Sequence, residues 1–284
     1  MPLLGSFGAA GVKGFGFTGG SIPPFPIATG GTTSDSGDYR IHTFTGDGTF
    51  EVEVGEVADF DYVVIGGGGG GMTQDGNNGG PGGGAGGYRE ADSTYTSPSP
   101  LANPSGQVTL TTGGSFAVTV GSGGAGSGGD NNVPTGTGGS DSSIGFPSAI
   151  TGSGGGFNST GGSGSGGYPG VPSGRAGNTP PFSPPQGNPG GTSTNTSPPF
   201  NGRTGGGGGG AGGSGSTTSP GAGTASNITG SAFPTKAYGG QGWPGGSPSA
   251  KPANSGAGGS AANPKSSASG NGGSGIVYIR YKFQ

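Results

Sequence analysis

The sequence predicts a mainly β protein: a small antiparallel β-sheet or sandwich domain with a long glycine-rich insertion that forms a polyglycine-II-like bundle or irregular ordered loops. Three observations predict it. Runs rich in β-branched and aromatic residues, alternating with period two and separated by turn residues, occupy the first half of the chain and residues 275–284. Between them, residues 121–274 are glycine, serine, asparagine, threonine and proline with isolated aromatics. The chain holds 80 glycines and 25 prolines in 284 residues, with 25% hydrophobic and 8% charged residues. That is too little for a conventional core, and too little charge for ordinary disorder.

Residues 1–33 mix glycine with Phe7, Phe15, Phe17, Phe25 and the turn-rich SIPPFP. They sustain no period of 2 or 3.6 and are expected to be an attachment arm anchored by those four rings. YRIHTFT (39–45), TFEVEV (49–54) and DFDYVVI (59–65) then read as strands, with GDG at 46–48 as a hairpin signal. Glu51 and Glu53 alternate with Phe50, Val52 and Val54, giving one wet face and one apolar face. QVTLTT (107–112) and SFAVTV (115–120), joined by Gly113 and Gly114, read as a second hairpin. The closing GIVYIRYKF (275–283) puts Ile276, Tyr278 and Arg280 on one face and Val277, Ile279 and Tyr281 on the other. A strand so apolar must be covered, most simply in the middle of the sheet. The expected division is therefore an arm (1–33), a β-sandwich (34–120 plus 275–284) and a glycine-rich module (121–274).

DYVVIGGGGGGM (61–72) raises the question of a nucleotide site, because a strand ending in G-x-G-x-x-G opens the phosphate-binding helix of dinucleotide folds. The continuation TQDGNNGGPGGGAGGYRE opposes a helix, since glycine costs about 1 kcal/mol and proline about 3 kcal/mol per interior position relative to alanine. Without a helix there is no dipole to hold the pyrophosphate. No G-K-[ST] follows a glycine run, so the phosphate-binding loop of nucleotide hydrolases is absent too. Collagen is excluded because glycine runs break its three-residue period.

Ordering the backbone costs roughly 1–2 kcal/mol per residue, more than the few side chains of 121–274 can offset by burial. Backbone hydrogen bonds, worth roughly 0.5–1.5 kcal/mol net each, are the remaining source. Without Cβ atoms, extended left-handed segments of three residues per turn can approach closely enough for N–H of one to meet C=O of the next. Pro134, Pro169, Pro172 and Pro244 are expected to set φ at the turns. The proline-dense NTPPFSPPQGNPGG (178–191) looks irregular.

The net charge of −3 offers no electrostatic footprint for nucleic acid. All thirteen acids lie at or before Asp141, while Arg175, Arg203, Lys236, Lys251, Lys265, Arg280 and Lys282 follow. There is no cysteine for disulfides or thiolate metal sites. MPLLGSFGAAGVKGFGF lacks the layout of a signal peptide, and no stretch is long and apolar enough for a membrane helix. His42, the single histidine, is expected to be a solvated or interface strand residue rather than a catalytic base. Asp35 with Asp38, and Asp59 with Asp61, fit no calcium-loop pattern and are expected in turns or on exposed faces. No catalytic, cofactor or metal site is expected.

Phe146, Phe157, Tyr168, Phe182, Phe200, Phe233, Tyr238 and Trp243 are read as plugs where the glycine bundle meets the sheet or another copy. Tyr238 and Trp243, beside glycines and Pro244, are the best suited among them to contact a partner protein or glycan.

IHTFTGDGTFEVEV, DYVVIGGGGGG, GGGAGGYRE, FAVTVGSGGAGSGG and GGSGIVYIRYKF, in that order over about residues 37–284, closely resemble the glycine-rich domain of virion structural proteins of tailed bacteriophages, especially marine phages. Such domains occur in fibres and other appendages, and glycine-helix bundles are known in a phage adhesin and an insect antifreeze protein. The resemblance implies a non-enzymatic appendage, fibre or decoration, assembled in the host cytoplasm into the virion and attached through its N-terminal arm. The expected partners are other virion proteins of capsid or tail, further copies of the chain (a trimer among the options) and a host surface glycan, with no nucleic acid and no membrane. The alternatives are a receptor-binding adhesin at the tail and a capsid-stabilising decoration protein. An ice-binding role would need a regular Thr or Ala grid, which is not seen.

Overall fold

A computed structural model describes residues 25–284 except 56, 75–77, 95–100, 102–105, 129–134, 195–202, 232, 245–247 and 263–267. Its strands are β1 (Ile27–Thr29), β2 (Thr32–Ser36), β3 (Tyr39–Phe44), β4 (Gly48–Val54), β5 (Ala58–Ile65), β6 (Tyr88–Ala91), β7 (Val108–Leu110), β8 (Gly114–Thr119), β9 (Ser142–Ile144), β10 (Ile150–Gly152) and β11 (Ile276–Lys282). One sheet runs β1-β4-β8-β9-β10 and the other β2-β3-β11-β5-β6, with β7 also on β5. The pairings are antiparallel. No α-helix occurs among the described residues. As its sequence demands, β11 lies between β3 and β5, with Val277 opposite Phe44 on one side and Val64 on the other.

Both expected hairpins are instead arches between sheets. β3 and β4 lie in different sheets, as do β7 and β8, so the loops at 45–47 and Gly113 carry the chain across the sandwich. The apolar faces explain this. A hairpin would set Phe44 and Phe50 side by side on one sheet, whereas the arch lets Phe50 of one sheet pack against His42 and Phe60 of the other. Phe44, Phe50, Phe60, Val64, Val118, Ile144, Val277 and Ile279 fill that core, and Phe146 plugs it. Glu51 and Glu53 point outward, as their alternation predicts.

His42 is not solvated but fully buried. Its ring meets Phe50 edge-on at 5.1 Å and stacks on Tyr281 at 5.7 Å, and its Nδ1 donates to Gly30 O at 2.6 Å. The Tyr281 hydroxyl accepts from Ala28 N at 3.1 Å. The sandwich thus begins at Ile27, inside the segment expected as an arm. β6, β9 and β10, which the sequence does not announce, are short strands among the glycine-rich stretches.

The outer face of the six-stranded sheet is buried as well. Ile41, Val63, Ile65, Tyr88, Ile276 and Tyr278 lie under Ile228, Phe233 and Ala237, with Phe233 stacked on Tyr278 at 5.5 Å. This second cover explains why β11 is apolar on both faces.

Beyond Ile65 the glycine run enters a lattice of three-residue-per-turn segments. Gly66, Gly69 and Met72 donate to Gly87, Gly84 and Pro81; Gly67 and Gly70 to Ser140 and Thr137; Gly68 and Gly71 to Gly273 and Gly270, all at 2.9–3.1 Å. Every third residue therefore bonds one neighbour, and the falling partner numbers make all three neighbours antiparallel. Between these run parallel segments near 122–125, 153–156 and 257–260. A methyl group at Gly66 through Gly71 would overlap the carbonyl oxygens of Ser153, Ser122, Ala257, Gly156, Ala125 and Ser260 in turn. The run is glycine because six neighbouring segments leave no room for a Cβ.

The second run repeats the arrangement. Gly205 and Gly208 donate to Trp243 and Gly240, Gly206 and Gly209 to Gly167 and Gly164, and Gly207 and Gly210 to Ser216 and Gly213, at 2.7–2.9 Å. Residues 80–87 lie between the two centres, so the lattice also takes in segments outside 121–274. The proline-dense loop is irregular, as expected: Asn178 Oδ1 accepts from Phe182 N and Gln186 N, and fully buried Gln186 reaches Ser153 Oγ and Pro180 O.

Two outcomes are expected. Gly69→Ala should cost at least about 1–3 kcal/mol in denaturant unfolding, as other forced overpacking does, while Gly46→Ala, where an added Cβ meets nothing within 4 Å, should stay within about 0.5 kcal/mol. Burial pushes His42 below its ordinary pKa of 6.5, against the bond to Gly30. The unfolded chain then protonates first, so the stability contributed by neutral His42 is full above pH 6.5 and declines as pH falls below it. Wild type should lose unfolding temperature from about pH 7 to about pH 5 more steeply than His42→Gln, and parallel profiles would contradict the assignment.

Candidate functional site

Alternation places Arg280 of β11 on the same buried face as Ile276 and Tyr278, and Asp61 of β5 opposite it in register. Arg280 Nε and Nη2 donate to Asp61 Oδ2 at 3.0 and 2.5 Å, and Nη2 donates to Asp92 Oδ1 at 2.6 Å. Arg280, Asp61 and Asp92 are all buried. Burial opposes the guanidinium's charge, but the two carboxylates outweigh it and raise its pKa. Asp61 also accepts from Ser93 N and Oγ at 2.8 and 2.9 Å, and Asp92 from Thr94 N and Oγ1 at 2.9 and 2.6 Å. The guanidinium lies 4.6 Å from the centre of the Tyr39 ring. Beside this cluster, Ser226 Oγ hydrogen-bonds Glu90 Oε1.

The cluster ties the turn after β6 to the central strands, at the end of the sheet remote from the glycine lattice. A pocket of about 460 Å³ opens next to it, lined by Ser36, Tyr39, Thr94, Asn227, Gly230, Ser231 and Arg280. The signal for this site was in the sequence. A charged residue alternating with Ile276 and Tyr278 on a strand that must be covered has to carry buried partners, and Asp61 sits in the neighbouring apolar run.

The residues expected to make contacts are dispersed. Phe7, Phe15 and Phe17 lie outside the described residues. Phe25 is half-buried, with Lys282 Nζ 6.0 Å from its ring, in a recess shared with Pro26, Val57 and Tyr39. Tyr238 and Trp243 are half-buried on one lattice segment, about 15 Å apart along its axis at 3.1 Å per residue, so they do not form one site. Lys251 Nζ is 5.8 Å from the Tyr238 ring, and Trp243 gives its N–H to Gly80 O and its carbonyl to Gly205 N. Phe233 and Phe146 are buried plugs, and Phe182 lies under Arg89 at 4.2 Å.

Of the acids weighed as metal ligands, Asp61 is not in a turn or exposed but buried against Arg280, and the other three are engaged locally. Asp35 pairs with Arg40 at 2.8 Å, Asp38 lies 3.9 Å from Lys282 Nζ, and Asp59 accepts from Thr109 Oγ1 at 2.6 Å. Among the described residues no group of three or more His, Cys, Asp or Glu side chains is placed to hold a metal ion.

Removing one partner of a buried ion cluster leaves uncompensated charge. Arg280→Ala, which strands Asp61 and Asp92, should cost about 3–5 kcal/mol in chemical denaturation, whereas Arg40→Ala, at an exposed pair, should cost under about 1 kcal/mol.

A family model described as a glycine-rich domain matches residues 43–282. No curated protein matches the chain.

Proposed function

We propose that this chain, which belongs to the glycine-rich domain family, is a non-enzymatic structural protein of a tailed-phage virion, an appendage attached through its N-terminal segment. The observation that carries this reading is the lattice itself. Its inner backbone N–H groups are spent on backbone carbonyls, and its six-neighbour packing makes a stiff module. Such a module suits display and spacing rather than catalysis. The strand motifs flanking it, which resemble those of phage fibre and appendage proteins, supply the virion assignment. Its partners are other capsid or tail proteins and further copies of the chain.

A second reading, a receptor-binding adhesin at the tail, is favoured by the position of Trp243. Paired with Gly80 and Gly205, it lies about 20 Å of lattice beyond the sheet at 3.1 Å per residue, where a ring can meet a host surface.

Immunogold labelling of purified particles with an antibody to residues 121–274 tests the proposal. Label on the virion is expected, with label over the head indicating decoration and label at the tail host recognition. Particles that lack the protein would overturn the assignment.

A further inference from the structure

We infer that the pocket beside Arg280 binds a neutral, hydroxyl-rich ligand, one sugar unit of a larger glycan. At about 460 Å³ it falls within the range of small-molecule sites. Its walls bring together the hydroxyls of Ser36, Thr94 and Ser231, the amide of Asn227, the half-buried ring of Tyr39 and the guanidinium of Arg280. The Ser36 and Ser231 hydroxyls can both donate and accept, which matches a polyol. The Tyr39 ring, with the Arg280 guanidinium over one face at 4.6 Å, adds apolar wall at its rim for the C–H groups of a sugar.

The charge balance selects against an anion. Arg280 would ordinarily favour phosphate or carboxylate, but Asp61 and Asp92 already hold it at 2.5–3.0 Å, and two carboxylates against one guanidinium leave the cluster net negative. Those bonds occupy Nε and Nη2 and leave Nη1 to donate to a ligand oxygen. They also fix the guanidinium before any ligand arrives, so little ordering remains to be done on binding. A neutral hydroxyl can accept from Nη1 without meeting the repulsion an anion would.

The site lies at the sandwich end remote from the lattice, apart from Tyr238 and Trp243. It goes beyond the virion reading, because particle location and sugar binding are read by separate experiments and either result can stand alone.

Saturation-transfer NMR on the full chain tests it, with oligosaccharides of glucose, mannose and galactose as neutral probes and glucuronic acid and inorganic phosphate as charged comparisons. At least one neutral oligosaccharide should bind. Ser231→Leu, an exposed position at the pocket wall, should weaken it by about tenfold or more with an unchanged unfolding midpoint, and Trp243→Ala should leave it unaltered. The inference is overturned if no neutral probe binds, if Ser231→Leu binds as wild type does, or if phosphate or glucuronate binds more tightly than every neutral sugar.

Discussion

The rest of the structure depends on how closely two backbones can approach when neither carries a side chain at the contact. Hydrogen bonds of 2.9–3.0 Å between Gly66–Gly71 and three antiparallel segments require those axes to lie closer than any Cβ allows. From that constraint follow the six-glycine runs, the threefold pattern of partners and the lattice's independence from a hydrophobic core. The sandwich is built on the opposite principle, with aromatic and β-branched residues burying area between and outside two sheets. The two regimes meet at Ile65, where β5 ends and the glycines begin.

Glycine content along each segment reports its depth in the lattice. In 121–128, Gly121, Gly124 and Ser127 are buried while Ser122, Ala125 and Gly128 are exposed. One position in three faces outward; Ser122 and Ala125 stand there, while Ser127 turns inward to hydrogen-bond the Thr73 amide and Ser269. In 66–71 no position faces outward and no Cβ occurs. A period-three reading of where small side chains interrupt the glycines would have sorted wall from centre, which a count of glycines does not.

Much of the sandwich was legible in the sequence. The alternation in TFEVEV and the central place of GIVYIRYKF both follow from local chemistry. What it does not settle is which strands pair. GDG and Gly113-Gly114 carry turn chemistry that serves hairpin and arch alike, and the choice is made by burying Phe50 against His42 and Phe60 across the sandwich. His42 illustrates the same limit: alternation gives its face, but only the second sheet shows that this face is the core. The Asp61–Arg280–Asp92 cluster was partly legible, since Arg280 shares its face with Ile276 and Tyr278, but Asp92 lies beyond a glycine excursion that no local pattern bridges.

The central claim, that the glycine segments are held by backbone hydrogen bonds to one another, is tested most directly by amide hydrogen exchange. The account predicts that the amides of Gly66 to Gly71 exchange as slowly as those of β5 and β11, with Gly46 exchanging fast. Exchange of the Gly66 to Gly71 amides at the rate of an unstructured chain, while β5 and β11 remain protected, would contradict it.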